Sequence, residues 1–340
     1  MLEILVFLTV FASSTVLVWI FLRVSPTIGA IDVPNDRSSH STPIPRGGGI
    51  AIVLASLIAY ALLSYAGILN FRNLWFISAL IIALVGFIDD LHSIPLFPRL
   101  ITHIFVAVLV VYFYGSVTGI YVPFSGQTLS FGNFAPIINI IFIVGFINAF
   151  NFMDGIDGLA GVQGIVIGLS WAVVGYLSGS QPILIMGMIF CASCLGFLVF
   201  NWEPARVFMG DTGSTYLGFV FGSLPVMFLD ESSIQGPDLL LLTILFAWLF
   251  VYDTVVTRLT QIIRGRKFWL PHREHQYQRL VINGVRHSRV AFFFAFSGLL
   301  VSIAGCLLVT LKGEMEIIAL TAIIGASALL SIWTVKKRLT

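Results

Sequence analysis

The sequence predicts an all-α polytopic membrane protein, on three observations. The 340 residues are 58% hydrophobic and only 10% charged, with a mean hydropathy of +1.00, whereas a soluble domain carries roughly a quarter charged residues. Apolar stretches of about twenty residues, the length of helix that crosses a hydrocarbon core, recur along the chain. When those stretches alternate in direction, the basic residues sort almost entirely to one side, as the loop bias of membrane proteins requires. A net charge of +2 leaves no basic surface for nucleic acid, so the expected partner of the bulk of the chain is the lipid bilayer. Cys191 and Cys194 lie two residues apart inside an apolar run with no second pair, which points to packing rather than metal or redox chemistry.

About eleven spans are expected, near 1–22, 48–69, 74–89, 99–115, 135–150, 159–178, 182–200, 214–229, 238–258, 290–311 and 317–335. The first has Glu3 where a secretion signal would be positive, no small-residue cleavage site, and Arg23 after it, so it is expected to stay in the membrane. Between the fourth and fifth spans, 119–134 alternates polar and apolar residues around Ser125 and Gly126, predicting a short β-hairpin. The long polar segments are 23–47 and 259–289. Of the 18 lysines and arginines, all but Arg72 and Lys312 fall on one side. That side is expected to be cytoplasmic, with the N-terminus outside, the C-terminus inside and the hairpin outside.

The acidic residues played no part in this orientation, yet they sort with it. Asp32, Asp36, Asp89, Asp90, Asp154, Asp157 and Asp211, with His272 and His275, map to the inner loops and helix ends. Asp230, Glu231, Asp238, Glu314 and Glu316 are left to short outer loops, where solvation is expected.

Each inner segment has a functional and a plain reading. In 32–49, Pro34, Pro43 and Pro45 fix turns, and Asn35, Arg37, His40 and Arg46 suit phosphate oxygens. Gly47, Gly48 and Gly49 would let backbone N–H groups approach an anion at the start of the second span. An ordinary basic inner loop would look much the same. Asp89 and Asp90 close the third span as adjacent carboxylates, whose repulsion a divalent cation relieves; magnesium suits such a site. Water at a loop would relieve it too.

Asn148, Asn151, Asp154 and Asp157 recur every third residue, sharing one face if the helix persists. A cap needs one such residue rather than four, and Gly155, Gly158 and Gly161 permit close approach. Asp211 lies between Gly210 and Gly213 at a span start, where a metal ligand and a helix N-cap are both reasonable. In the last inner loop His272, Arg273, His275 and Arg279 can donate to phosphate or sugar oxygens. Asp253, an ionisable group inside the ninth span, is a functional candidate by its place, although a local pair with Arg258 or Arg206 is the favoured plain reading.

The ordered set D-x-P-N-x-R-x-x-H-x-x-P-x-P-R-G-G, F-I-D-D, N-F-M-D-G-I-D-G-L-A-G, F-M-G-D-T-G-S and H-R-E-H, spread over residues 30–280, resembles the polyprenyl-phosphate N-acetylhexosamine-1-phosphate transferases. That family includes the enzyme initiating enterobacterial common antigen and the translocase of peptidoglycan synthesis. The resemblance implies one integral membrane catalytic domain over 1–340, with cytoplasmic loops near 23–47, 89–99, 151–159, 201–214 and 259–289. It implies transfer from a UDP-linked N-acetylated sugar to undecaprenyl phosphate with release of UMP, using Mg2+ or Mn2+, at the cytoplasmic face of the bacterial inner membrane.

By motif, the resemblance implies that Asp89 and Asp90 are the acidic pair, with Asp89 the candidate for activating the lipid phosphate, and that Asp211 is the metal ligand, helped by that pair. Asn151, Asp154 and Asp157 match the nucleotide and active-site segment, and His275 the first histidine of the late loop. Asn35, Arg37, His40, Arg46, Gly47, Asn148, His272 and Arg273 complete the expected substrate contacts. Two departures matter. Ser93 stands where a D-D-x-x-D pattern has its third acid, and His275 is followed by Gln276, Tyr277 and Gln278 rather than further histidines. The second argues against a peptidoglycan translocase and is similar to the subgroup starting O-antigen chains with N-acetylfucosamine, N-acetylquinovosamine or N-acetylglucosamine.

The rival class is an ion-coupled transporter, whose acids would sit near the bilayer midplane, often in repeated halves; here the acids sit at helix ends and no repeat stands out. A scaffold protein would need no clustered carboxylates. Helix faces rich in Phe and Leu suit a homodimer.

Overall fold

In the computed structural model the chain is helical almost throughout; the structure describes residues 1–34, 42–123, 125–231, 234–265, 273–311 and 315–339. Helix α1 (Leu2–Ile28) is followed by a two-stranded pair, β1 (Ile31–Asp32) with β2 (Ile44–Pro45), then α2 (Ile50–Tyr65), α3 (Asn73–His92) and α4 (Leu96–Tyr114). The hairpin β3 (Gly119–Val122) and β4 (Gln127–Ser130) leads to α5 (Ala135–Met153), α6 (Leu159–Ser178), α7 (Gln181–Asn201) and α8 (Gly210–Met227). The chain ends with α9 (Gly236–Phe246), α10 (Trp248–Ile263), α11 (Gln276–Ile282), α12 (His287–Leu311) and α13 (Met315–Leu339).

Every predicted span is helical, but not all are alike. Eight helices, α1, α3 to α7, α12 and α13, are long and apolar enough to cross a membrane. Their outward faces carry Ile4, Phe97, Ile101, Ile141, Phe292 and Ile317, each more than half exposed, the surface that lipid covers. Helix α2 has only 16 residues. Helix α8 is buried along its whole length, which explains how it tolerates Asp, Thr and Ser in mid-bundle. Without lipid contact, its polar groups find partners on its neighbours or its own backbone: Tyr216 meets Ser56 of α2 at 2.6 Å, and Trp75 of α3 donates to Ser223 at 2.8 Å.

The expected single span 238–258 is instead broken. Helices α9 and α10 meet at 78° at Ala247. No proline lies there; the carbonyl of Phe246 accepts a bond from the Gln163 side chain of α6 at 2.8 Å, the kind of insertion into a helical ladder that bends it. The hairpin stands as expected, with Val122 opposite Gln127, but two acids beside it are not solvated. Glu316 is 5% exposed and Asp238 6%, and Tyr121 of β3 donates to Glu316 at 2.6 Å, because the hairpin covers the starts of α9 and α13. Glu314 lies outside the described residues.

Candidate active site

Close backbone packing at one end of the bundle makes the site. Phe208 donates its N–H to the Pro45 carbonyl at 2.8 Å, while Gly48 and Gly49 donate to the Phe208 and Met209 carbonyls, both at 2.9 Å. Those two glycine N–H groups therefore serve the loop-to-loop pairing and do not face an anion, contrary to the sequence expectation. A Cβ on Gly49 would strike the backbone of Gly213, and one on Gly86 would lie 2.6 Å from the Asp211 carbonyl oxygen. Helices α2, α3 and α8 thus touch backbone to backbone. Gly210 has φ +74°, and a Cβ there would collide with the Asp90 carboxylate, so glycine is required on both counts.

That packing brings together Asp89 and Asp90 at the end of α3, Asp211 at the start of α8, Arg46 just after β2 and Arg99 near the start of α4. Arg46 Nε lies 2.9 Å from Asp90 Oδ1 and its Nη2 2.9 Å from Asp211 Oδ1. Arg99 Nη1 lies 2.7 Å from Asp89 Oδ2 and 2.6 Å from Asp211 Oδ2. Asp90 also accepts from the Asp211 N–H at 2.8 Å, the Thr212 N–H at 3.0 Å and the Thr212 hydroxyl at 2.6 Å. Asp211 is the second residue of α8 rather than its N-cap, which is Met209. Burial works against the Arg46 charge, but Asp211, Asp90 and Asp32 outweigh it and hold its pKa above the ordinary arginine value.

Helix α5 ends at Met153, and Asp154 leaves the helical path at φ −86°, ψ 59°, so the four-residue repeat does not share one face. Asn148 donates to its own helix, at Val144, at 2.7 Å, and Asn151 donates to Ser214 of α8 at 3.2 Å. Asp154 lies within electrostatic reach of Asp211, Asp90 and Arg46, and burial together with Asp211 pushes its carboxyl up to about 8.

Sequence comparison points the same way. The glycosyl transferase family 4 sequence model matches residues 72–229. A probable undecaprenyl-phosphate N-acetylglucosaminyl 1-phosphate transferase of Bacillus subtilis is 30% identical, covering 84% of this chain and 79% of its own. A phospho-N-acetylmuramoyl-pentapeptide-transferase of Kosmotoga olearia is 32% identical over 79% of this chain and 85% of its own. The chain belongs to glycosyl transferase family 4. A decaprenyl-phosphate N-acetylglucosaminephosphotransferase of Mycobacterium leprae is 27% identical over 77% and 72%.

In this family 4 chain two expected residues stand apart from the acid cluster. Asp157 accepts from the Ala205 N–H at 3.1 Å and lies 3.3 Å from His287 Nδ1, tying the turn after α5 to the start of α12. His275 is buried before α11, its Nδ1 3.3 Å from Asp253 Oδ1. Asp253 therefore anchors the late loop instead of making the expected pair with Arg258 or Arg206. Arg273 lies half-buried at the start of that loop. Asn35, Arg37, His40 and His272, with Asp36, fall outside the described residues. Sequence reasoning missed Arg99, Thr212 and His287 as site residues and expected other partners for Asp253. Thr212 lies inside a motif already singled out, and Arg99 is the first cation after the acidic pair; His287 carried no local signal.

Proposed function

We propose that this family 4 enzyme transfers an N-acetylated sugar 1-phosphate from a UDP-sugar to undecaprenyl phosphate, releasing UMP at the cytoplasmic face of the bacterial inner membrane. The product would start O-antigen or a related surface polysaccharide. The observation that carries the reading is the buried cluster of Asp89, Asp90 and Asp211 knit by Arg46 and Arg99. The names of the Bacillus and Mycobacterium relatives support the substrate class.

Magnesium, or manganese in its place, fits this donor set. Asp89 and Asp211 each turn an oxygen to a single cationic atom, Arg99 Nη1, and hard divalent cations take such carboxylate oxygens. Asp211, Asp89 and Asp90 would hold the ion; among the described residues they are joined through the arginines rather than gathered on one point. When bound, the cation neutralises the diphosphate and the departing UMP.

The chain's own residues do the rest. An oxygen of the lipid phosphate attacks the phosphorus bearing the sugar, and the bond from that phosphorus to the UMP oxygen breaks. Both groups are phosphates, so the exchange needs no net proton. Arg46 and Arg99 steady the phosphate oxygens and align them. Asp89 accepts a proton where the lipid phosphate arrives protonated. Asn151 and Asp154 face the nucleotide-sugar, and the late loop with His275 closes on its diphosphate or sugar.

The Kosmotoga relative makes the peptidoglycan reaction a second reading, against which Gln276 to Gln278 weigh. Membranes containing the protein, given magnesium, undecaprenyl phosphate and a panel of labelled UDP-sugars that includes UDP-MurNAc-pentapeptide, decide between them. Lipid-linked label with matching UMP release is expected from a UDP-N-acetylhexosamine. Vesicle uptake of label without lipid product would sink the proposal.

A further inference from the structure

We infer that Asp253 is a positioning residue for this reaction: its carboxylate fixes the ring orientation and tautomer of His275 and seats residues 275–277 against the segment that carries Asp154. The inference rests on the function proposed above and names a residue through which the late loop takes part in it.

Asp253 is fully buried on α10, less than two turns beyond the 78° break. A carboxylate in such a place is tolerated only when its oxygens are well supplied with donors. Asp253 Oδ1 accepts from the Gln276 N–H at 2.9 Å and the Thr257 hydroxyl at 3.0 Å, and Oδ2 accepts from the Tyr277 N–H at 3.1 Å. The fourth neighbour is His275 Nδ1, 3.3 Å from Oδ1. The carboxylate beside Nδ1 draws the ring proton to that nitrogen and leaves Nε2 the acceptor, the ring also facing the Gln278 N–H in the capping box that starts α11.

The ring is also held from the sides. Phe152 and Tyr277 flank it, tilted by 29° and 30°, at centroid distances of 6.2 and 5.8 Å. The Tyr277 hydroxyl donates to the Phe152 carbonyl at 2.9 Å, and Gly155 leaves room for that hydroxyl where any Cβ would strike it. Phe152 stands two residues before Asp154. One buried carboxylate therefore governs the loop carrying His275 and, through Tyr277, the backbone beside Asp154.

A carboxylate that merely plugged the bent helix would need only to accept hydrogen bonds, and this separates the two roles. In Asp253→Asn the amide nitrogen that donates to Nδ1 takes the place of Oδ1 and imposes the opposite tautomer; it leaves the Gln276 N–H without its acceptor, while the amide oxygen still accepts from the Tyr277 N–H. We expect Asp253→Asn to insert and fold but melt below the wild type for the lost Gln276 bond, to show His275 protonated at Nε2 instead of Nδ1 in 15N spectra of histidine-labelled protein, and to lose about 10- to 100-fold in kcat. In a His275→Ala background the same change should cost nothing further.

Wild-type turnover in Asp253→Asn, or an undiminished effect in the His275→Ala background, would overturn the inference. If Asp253→Asn does not fold, the wild-type spectrum decides alone, since a proton on Nε2 there contradicts the pairing. If no UDP-sugar gives lipid product with the wild type, the proposed function fails, while the spectrum still tests the pairing.

Discussion

Helices α3 and α8 run antiparallel and carry ionic groups at both ends, and the two ends are built differently. At one, Arg72 lies 3.3 Å from Glu231 and 3.8 Å from Asp230, whose side chain is 78% exposed. At the other, the Asp90 side chain is fully buried and Asp211 only 12% exposed, and Arg46 and Arg99 bridge acids that sit far apart in sequence. The first is one cation between a hydrated acid, Asp230, and a half-sheltered one, Glu231, at the edge of the bundle, and such pairs contribute about 0–1 kcal/mol. The second gathers three acids around two bases in a place that charge does not favour. Both ends carry acids and arginine, so composition does not separate them. The number of charges gathered and the burial of the adjacent Asp89 and Asp90 distinguish the candidate active site.

Substitutions at the two ends test that contrast. Asp211→Asn should reduce transfer of labelled sugar to lipid by on the order of 10³-fold, with unchanged amounts of protein in the membrane; near-normal turnover would remove Asp211 from the metal role. Gly210→Ala should displace Asp90 and force a side chain into left-handed backbone, costing about 1–3 kcal/mol as a lower melting temperature, together with most of the activity.

A smaller effect is expected from pH. The folded state holds the Asp154 proton up to about 8, whereas an unfolded chain releases it near the ordinary carboxyl value of 3.8. Stability from this group is therefore complete below that ordinary value and is lost as pH rises through about 8. The melting temperature of the wild type should fall over that range, and Asp154→Asn should flatten the fall. At the other end, Arg72→Gln should change stability by less than about 1 kcal/mol and leave transfer within about twofold. A large loss there would abolish the distinction between the ends.

Much of this architecture was legible in the sequence, for identifiable reasons. The spans follow from apolar length, which the bilayer dictates residue by residue, so α1 to α7 fall close to their expected bounds. The break between α9 and α10 was hidden because Gln163, on another helix, makes it. Asp89, Asp90 and Asp211 stood out because each sits in a short motif of its own. Arg99 did not, because its meaning lies in Asp211, 112 residues away. The repeat from Asn148 to Asp157 misled, since its spacing implies a shared face only while the helix lasts, and α5 stops at Met153. Asp253 was visible as a buried acid, but its donors lie on the far side of a loop.

The glycine contacts near the acids have a mechanical consequence. Where Gly49 meets Gly213 and Gly86 meets the backbone of Asp211, no side chain lies between the helices to flex or change rotamer. Helices α2, α3 and α8 therefore move as one body, and separating them by a fraction of an ångström breaks contact along the whole seam. The described part of the late loop is moored differently, by hydrogen bonds that end on the side chains of Asp253 and Tyr277. The acid cluster is thus fixed by backbone contact, and the late loop by bonds that a single rotamer change releases.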